Sequence, residues 1–241
     1  MNVRLAFIAL AAVVVAATVA GSAPGAGSRS SHTCVKGPEV RFRAADHTRL
    51  VGHKFGAGKT AIVLAHGNGS DLCQWVGEAR LLARHGFFVF AFDFRGHGLS
   101  QVRPFPGSER FGADVAAAVK AVRRMGKPKV HLIGSSLGGS TALVAATTIA
   151  PPVASVVSLS APASYRRQNA LAAAPRLRLP VLYVASEDEP VGIADDARAL
   201  HAATASTDKR LEIVPGRSHG LRILKSVPQT RTLVESFLRA H

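Results

Sequence analysis

Ser136 is flanked by Gly134 and Gly138 where an apolar run, Lys129 to Ser135, meets a run of small residues beginning at Leu137. Gly-x-Ser-x-Gly at a strand-to-helix junction is the pattern of a nucleophile elbow. The chemistry sets the spacing. A serine presented at the tip of so sharp a turn takes a strained backbone, and the glycines remove side chains that would collide as strand and helix fold back on each other. The helix beginning there carries unpaired backbone N–H groups, which favour developing negative charge. Ser135 is in the wrong register, because its second neighbours are Ile133 and Leu137. Ser136 is therefore the candidate nucleophile, and a Gly/Ser turn without chemistry is the bland alternative to so short a match.

Other chemistry-bearing residues cluster in turns. His66-Gly67-Asn68-Gly69 follows one apolar run, and Asp93-Phe94-Arg95-Gly96-His97-Gly98-Leu99-Ser100 follows another. Three carboxylates, Glu187, Asp188 and Glu189, stand together before Pro190. Of the ten histidines, those after the elbow are His201, His219 and His241. No metal-ligand spacing, phosphate loop or dinucleotide fingerprint is present, so neither a metal nor a cofactor is expected.

The elements that must position these residues alternate. Val40 to Ala44 and Arg49 to Phe55 read as strands, and Thr60 to Ala65, Phe87 to Phe94 and Lys129 to Ser135 as strands buried on both faces. Val153 to Leu159, Val181 to Ala185 and Arg210 to Val214 continue the series. Helical spacing marks Asp71 to His85, Phe111 to Met125, Leu137 to Ile149, Ile193 to Thr204 and Leu233 to Ala240. Strands alternating with helices through short connections predict an α/β fold, a largely parallel central sheet flanked by helices. Ala161 to Pro180 is too short to hold a substantial lid domain.

Length allows one sizeable core: 241 residues, 47% hydrophobic. Thirty Lys and Arg against fifteen Asp and Glu give a net charge of +15, which favours anionic partners in general. The basic residues are scattered and aromatics are few, so nucleic-acid binding is not expected. Met1 to Arg4 followed by the apolar run Leu5 to Ala20 reads as a secretory signal peptide, with residues 1–26 removed or, alternatively, kept as a membrane anchor. Residues 27–37 read as a flexible linker and 38–241 as the folded domain. The expected location is thus secreted or cell-envelope, with membrane contact only through an uncleaved N-terminus. In an exported chain Cys34 and Cys73 are candidates for a disulfide, two free thiols being the alternative.

With the elbow, the alternation and the two Gly/His turns together, the chain resembles the α/β-hydrolase superfamily from about residue 38 onwards, and within it the small, lidless serine-hydrolase branch. The resemblance implies a triad in the order Ser, acid, His. His219, in the loop after the last strand, is then the base, while His201 and His241 are surface histidines. The acid falls after the Val181 strand; Asp188 is favoured for its short carboxylate, although the family pattern of an acid just before Pro points to Glu189. The resemblance also implies an oxyanion hole of two backbone N–H groups, from Asn68 and Leu137. Asp93, His66 and His97 are expected to shape loops rather than to react.

The function so implied is hydrolysis of a carboxylic ester or related acyl bond through an acyl-Ser136 intermediate, with a small-molecule acyl substrate. A peptidase or thioesterase on the same triad is the alternative, and a non-catalytic, envelope-associated binding protein is the rival from another class. Arg166, Arg167, Arg176 and Arg178 follow the sixth strand. They are favoured as a solvated basic face, and as a ring at the site entrance they would select an anionic substrate.

Overall fold

The computed structural model describes residues 32–102 and 109–241. The expected signal or anchor segment, 1–26, and linker residues 27–31 lie outside them. Eight strands form one sheet: β1 (Val40–Arg43), β2 (Arg49–Phe55), β3 (Ala61–Ala65), β4 (Phe88–Phe92), β5 (Val130–Ser135), β6 (Ser155–Leu159), β9 (Val181–Ser186) and β10 (Lys209–Val214). Their spatial order is β1-β2-β4-β3-β5-β6-β9-β10. β2 runs antiparallel to both neighbours, and every other pairing is parallel. The two short strands between β6 and β9, β7 (Ser164–Tyr165) and β8 (Gln168–Asn169), form a separate hairpin.

The pleat divides each central strand between two cores. On β3 and β4, Ala61, Val63, Ala65, Phe88, Phe90 and Phe92 face one cluster, and Ile62, Leu64, Val89 and Ala91 face the other. Helices α2 (Phe111–Arg124) and α3 (Leu137–Ala146) cover the first face through Val115, Val119, Val122, Ala142 and Leu143. Helix α1 (Val76–Arg84) and the C-terminal helix cover the second, through Ala79, Leu82, Val234 and Leu238. A short helix α4 (Ala170–Ala173), helix α5 (Ile193–Ala203), the single turn α6 (Ile223–Ser226) and α7 (Pro228–Ala240) complete the chain. α7 begins five residues earlier than apolar periodicity suggests, because Pro228 occupies its first turn, where a missing N–H costs nothing. Between β6 and β9 stand only the hairpin, α4 and one 3-10 turn, with no lid domain.

His32, Cys34 and Val35 pack against the folded domain. Cys34 and Cys73 are joined in a disulfide with Cα atoms 5.7 Å apart, and His32 is buried. By the chain-entropy model, a closed loop of this length stabilises the fold by about 4 kcal/mol.

Two core histidines make the fold acid-sensitive. His66 donates from Nδ1 to the Gly67 carbonyl at 2.8 Å and accepts the Phe94 N–H on Nε2 at 3.0 Å, so the neutral ring uses both nitrogens. Burial lowers its pKa to about 3. Burial likewise lowers His131, paired with Ser155 Oγ at 2.7 Å, to about 4. In the unfolded chain both rings take a proton near pH ~6.5. Their contribution is therefore complete above ~6.5 and is lost as pH falls through the window below it, because only the unfolded state binds the protons. The thermal midpoint should fall steadily from pH 7 to pH 4, and His131→Leu should flatten that slope. A slope unchanged in the variant would show that His131 titrates normally in the folded protein.

Candidate active site

Parallel strands bring the ends of β3, β5, β6, β9 and β10 to one edge of the sheet, and the chemistry-bearing residues gather there. Ser136 sits between β5 and α3 at φ 54°, ψ −120°, a conformation that L residues avoid. The flanking glycines are sterically required. A Cβ on Gly134 would collide with the Gly138 carbonyl, and one on Gly138 would collide with the Ala65 carbonyl. The Ser136 N–H donates to the Leu159 carbonyl at 2.8 Å, tying the apex to β6.

Leu137 is the first residue of α3, so its N–H points out of the helix start with no intrahelical acceptor. The loop after β3 passes over the same point. A Cβ on Gly67 would lie 3.6 Å from Ser136 Cβ, and the Gly67 N–H is fixed by Gln74 Oε1 at 2.8 Å. Asn68, the next residue, is exposed at the rim. Leu137 follows Ser136 directly, and Gly67, the residue before Asn68, packs beside it.

His219 precedes a turn locked beside the elbow. The Gly220 N–H donates to Ser160 Oγ at 2.7 Å and the Leu221 N–H to Ser135 Oγ at 3.1 Å. The carboxylate that meets His219 belongs to Glu189, whose Oε2 lies 2.6 Å from Nδ1. The expectation of Asp188 is corrected by this geometry. Asp188 is exposed, and its N–H is used by the Gly216 carbonyl at 3.0 Å. The reason is the turn after β9: the Glu189 N–H closes back on the Ser186 carbonyl at 3.4 Å, which sends residue 188 outward and residue 189 inward. The longer glutamate arm spans what remains.

Two serines that sequence reasoning missed complete the arrangement. Glu189 Oε1 accepts from Ser160 Oγ–H at 2.7 Å and from the Ser186 N–H at 2.6 Å. Ser186 Oγ donates to the Ser218 carbonyl at 2.8 Å, joining the end of β9 to the His219 loop. Ser160 itself holds φ 50°. Its only sequence signal is its place directly after a buried strand. The glutamate side chain is fully buried while that of His219 is 42% exposed, so the pair has one dry end and one open end.

The arginines divide. Arg166 and Arg167 form the exposed tip of the β7–β8 hairpin, at the edge that carries Ser136, and Arg166 pairs with Glu109 at 3.1 Å. Arg176 and Arg178 stand just before β9, at the opposite edge of the sheet. Four arginines therefore do not ring the entrance. His66 and His97 meet at a tilt with ring centroids 5.1 Å apart, and both His66 nitrogens are taken by backbone groups. Asp93 accepts the N–H groups of Leu72 and Leu99, each at 2.8 Å, and so shapes two loops.

A sequence model described as the alpha/beta hydrolase fold matches residues 60–175, the stretch holding the first two Gly/His turns and the elbow. The chain has the α/β-hydrolase fold. Among curated relatives, protein phosphatase methylesterase 1 of Bos taurus is 32% identical over 99 residues, 40% of this chain and 26% of that protein. N-formylmaleamate deformylase of Pseudomonas putida is 28% identical over 158 residues, 65% of this chain and 56% of the relative. The chain thus spans about a quarter of the methylesterase and about half of the deformylase. An esterase of Pyrococcus furiosus superposes with a TM-score of 0.73 at 17% identity, covering 84% of this chain and 90% of the esterase, which is a likeness of fold.

The geometry ranks the two carboxylates. Glu189→Gln should slow reaction of Ser136 with a fluorophosphonate by roughly 10²- to 10⁴-fold, since an amide no longer fixes the tautomer or supports the imidazolium. Asp188→Asn should stay within about twofold of wild type. Equal rates in the two variants, measured by stopped-time labelling, would detach Glu189 from His219.

Proposed function

We propose that this protein is a serine hydrolase that cleaves a carboxylic ester or related acyl bond. The observation that carries the reading is Ser136, at the strained elbow beside His219, whose Nδ1 is held by a buried, doubly supported Glu189. With Nδ1–H committed to Glu189, Nε2 is left as the base. It takes the Ser136 Oγ proton as the oxygen attacks the acyl carbon, and Glu189 offsets the charge that appears on the ring. The carbonyl oxygen, now negative, lies toward the N–H groups of Leu137 and Asn68. Collapse expels the alcohol, which takes the proton from Nε2 and leaves acyl-Ser136. Water then repeats the sequence, releasing the acid and restoring the serine.

The fold's other members give the class support, since the relatives include a methylesterase and a deformylase and the structural neighbours include esterases. A non-catalytic role has no need of a buried carboxylate on His219, and Glu189 supplies one. An exported setting is also part of the proposal. It fits the apolar N-terminal run and the Cys34–Cys73 disulfide, which persists in oxidising compartments.

The test is labelling with a fluorophosphonate, followed by turnover of short-chain aryl esters. One equivalent should attach at Ser136, and Ser136→Ala should abolish labelling and lower ester turnover by roughly 10⁴-fold with the fold intact. Label on Ser135, or turnover surviving in Ser136→Ala, would overturn the reading.

A further inference from the structure

At the antiparallel end of the sheet, two buried imidazoles each leave a ring nitrogen without a hydrogen-bond partner among the described residues. His53 projects from β2 into the sheet face that it shares with Phe55. It is 3% exposed, and its Nε2 has no hydrogen-bond partner among the described residues. His32 is 8% exposed, and its ring meets His53 edge-on with centroids 5.5 Å apart. Its Nδ1 likewise has no partner. Leaving such atoms dry and unpaired is costly, and most native folds avoid it.

A carboxylate completes the group. One ligand-capable atom from each of His32, Glu39 and His53 lies within 4.8 Å of the others. We propose that His32, Glu39 and His53 form a zinc-type metal site that clamps the chain's entry segment onto β2. Two imidazoles and one carboxylate are the donor set of a borderline divalent cation, with a fourth position left for water. Ligand atoms held ~2.1 Å from a tetrahedral ion are roughly 3.4 Å apart, a spacing that falls inside the 4.8 Å within which these three atoms lie.

The surroundings suit the role. Asp93 Oδ2 lies 2.9 Å from His32 Nε2, outside hydrogen-bond geometry as the site stands, and can orient that ring while Nδ1 faces the ion. Arg41 holds Glu39 Oε2 at 2.6 Å, leaving Oε1 to coordinate. A second grouping of His32 with Asp71 and Cys73 fails as a site because the Cys73 sulfur is bonded to Cys34. The residues carry no signature spacing, which is why the sequence predicts no metal.

The test uses protein without a polyhistidine tag, stripped with chelator and kept free of reductant. Calorimetric titration with Zn²⁺ should show saturable one-to-one binding. At a hundredfold excess over Kd the thermal midpoint should rise by roughly 5–10 °C. Glu39→Gln and His53→Gln should each weaken binding about tenfold or more. Should His53→Gln fail to fold, the wild type still decides, because Zn²⁺ should shift the imidazole NMR signals of His32 and His53. Absence of stoichiometric binding, unchanged signals from these two rings, or wild-type affinity in Glu39→Gln would each overturn the proposal. Fluorophosphonate labelling of Ser136 reads the other site, so failure of one proposal is distinguishable from failure of the other.

Discussion

Close backbone approach around Gly134 and Gly138 is the constraint on which the rest of the site depends. Because no Cβ fits between Gly134 and the Gly138 carbonyl, or between Gly138 and the Ala65 carbonyl, strand β5, helix α3 and the loop after β3 are fixed against one another. That contact forces Ser136 to φ 54° and also sets Gly67 over its side chain. A third approach adds the His219 loop, since a Cβ at Gly220 would strike Ser135 Oγ. Three loops from distant parts of the sequence thus share one steric solution. Strain of order 1–3 kcal/mol at a non-glycine residue in such a conformation persists only because its neighbours leave no other position.

The acid is positioned differently, by hydrogen bonds rather than by contact. Ser160 relays between two loops: it accepts from the Gly220 N–H and donates to Glu189, while its own N–H is held by the Val184 carbonyl at 2.7 Å. A buried carboxylate needs hydrogen-bond donors in place of the water it loses. Glu189 receives them from Ser160, Ser186 and His219, and all three reach it from the ends of β6, β9 and β10. The glutamate is therefore held at both oxygens before any substrate arrives. His219 is open to solvent on its other side, whereas the glutamate side chain is not.

Much of this was legible in the sequence, and the remainder has physical reasons for its silence. Buried strands announce themselves as unbroken apolar runs, as in Ala61–Ala65 and Phe88–Phe92, and the elbow does so because sterics demand glycine at fixed offsets. Asp188 against Glu189 was not decidable from side-chain length. The answer lies in a turn that rotates one residue out and the next in, set by the Glu189 N–H to Ser186 carbonyl bond. Ser160 carried no pattern, because a lone serine after a strand has no periodicity to betray it. The Cys34–Cys73 pairing and the burial of His32 were open for the same reason: both depend on contacts between segments far apart in sequence.

The charge of the chain takes its meaning from where the acids went. Asp93, Asp114, Glu78 and Glu189 are all buried, each spent on internal work. Asp114 binds Arg95 at 2.6 Å, Glu78 holds Arg231 at 3.1 Å, and Asp93 accepts backbone donors from two loops. Removing acids from the surface leaves it more basic than the +15 of the whole chain suggests. That excess is not focused on the site. Arg176 and Arg178 face the far edge of the sheet, and Arg166 shares its charge with Glu109. At the site itself the Glu189–His219 pair is buried at its carboxylate and open to solvent at its imidazole.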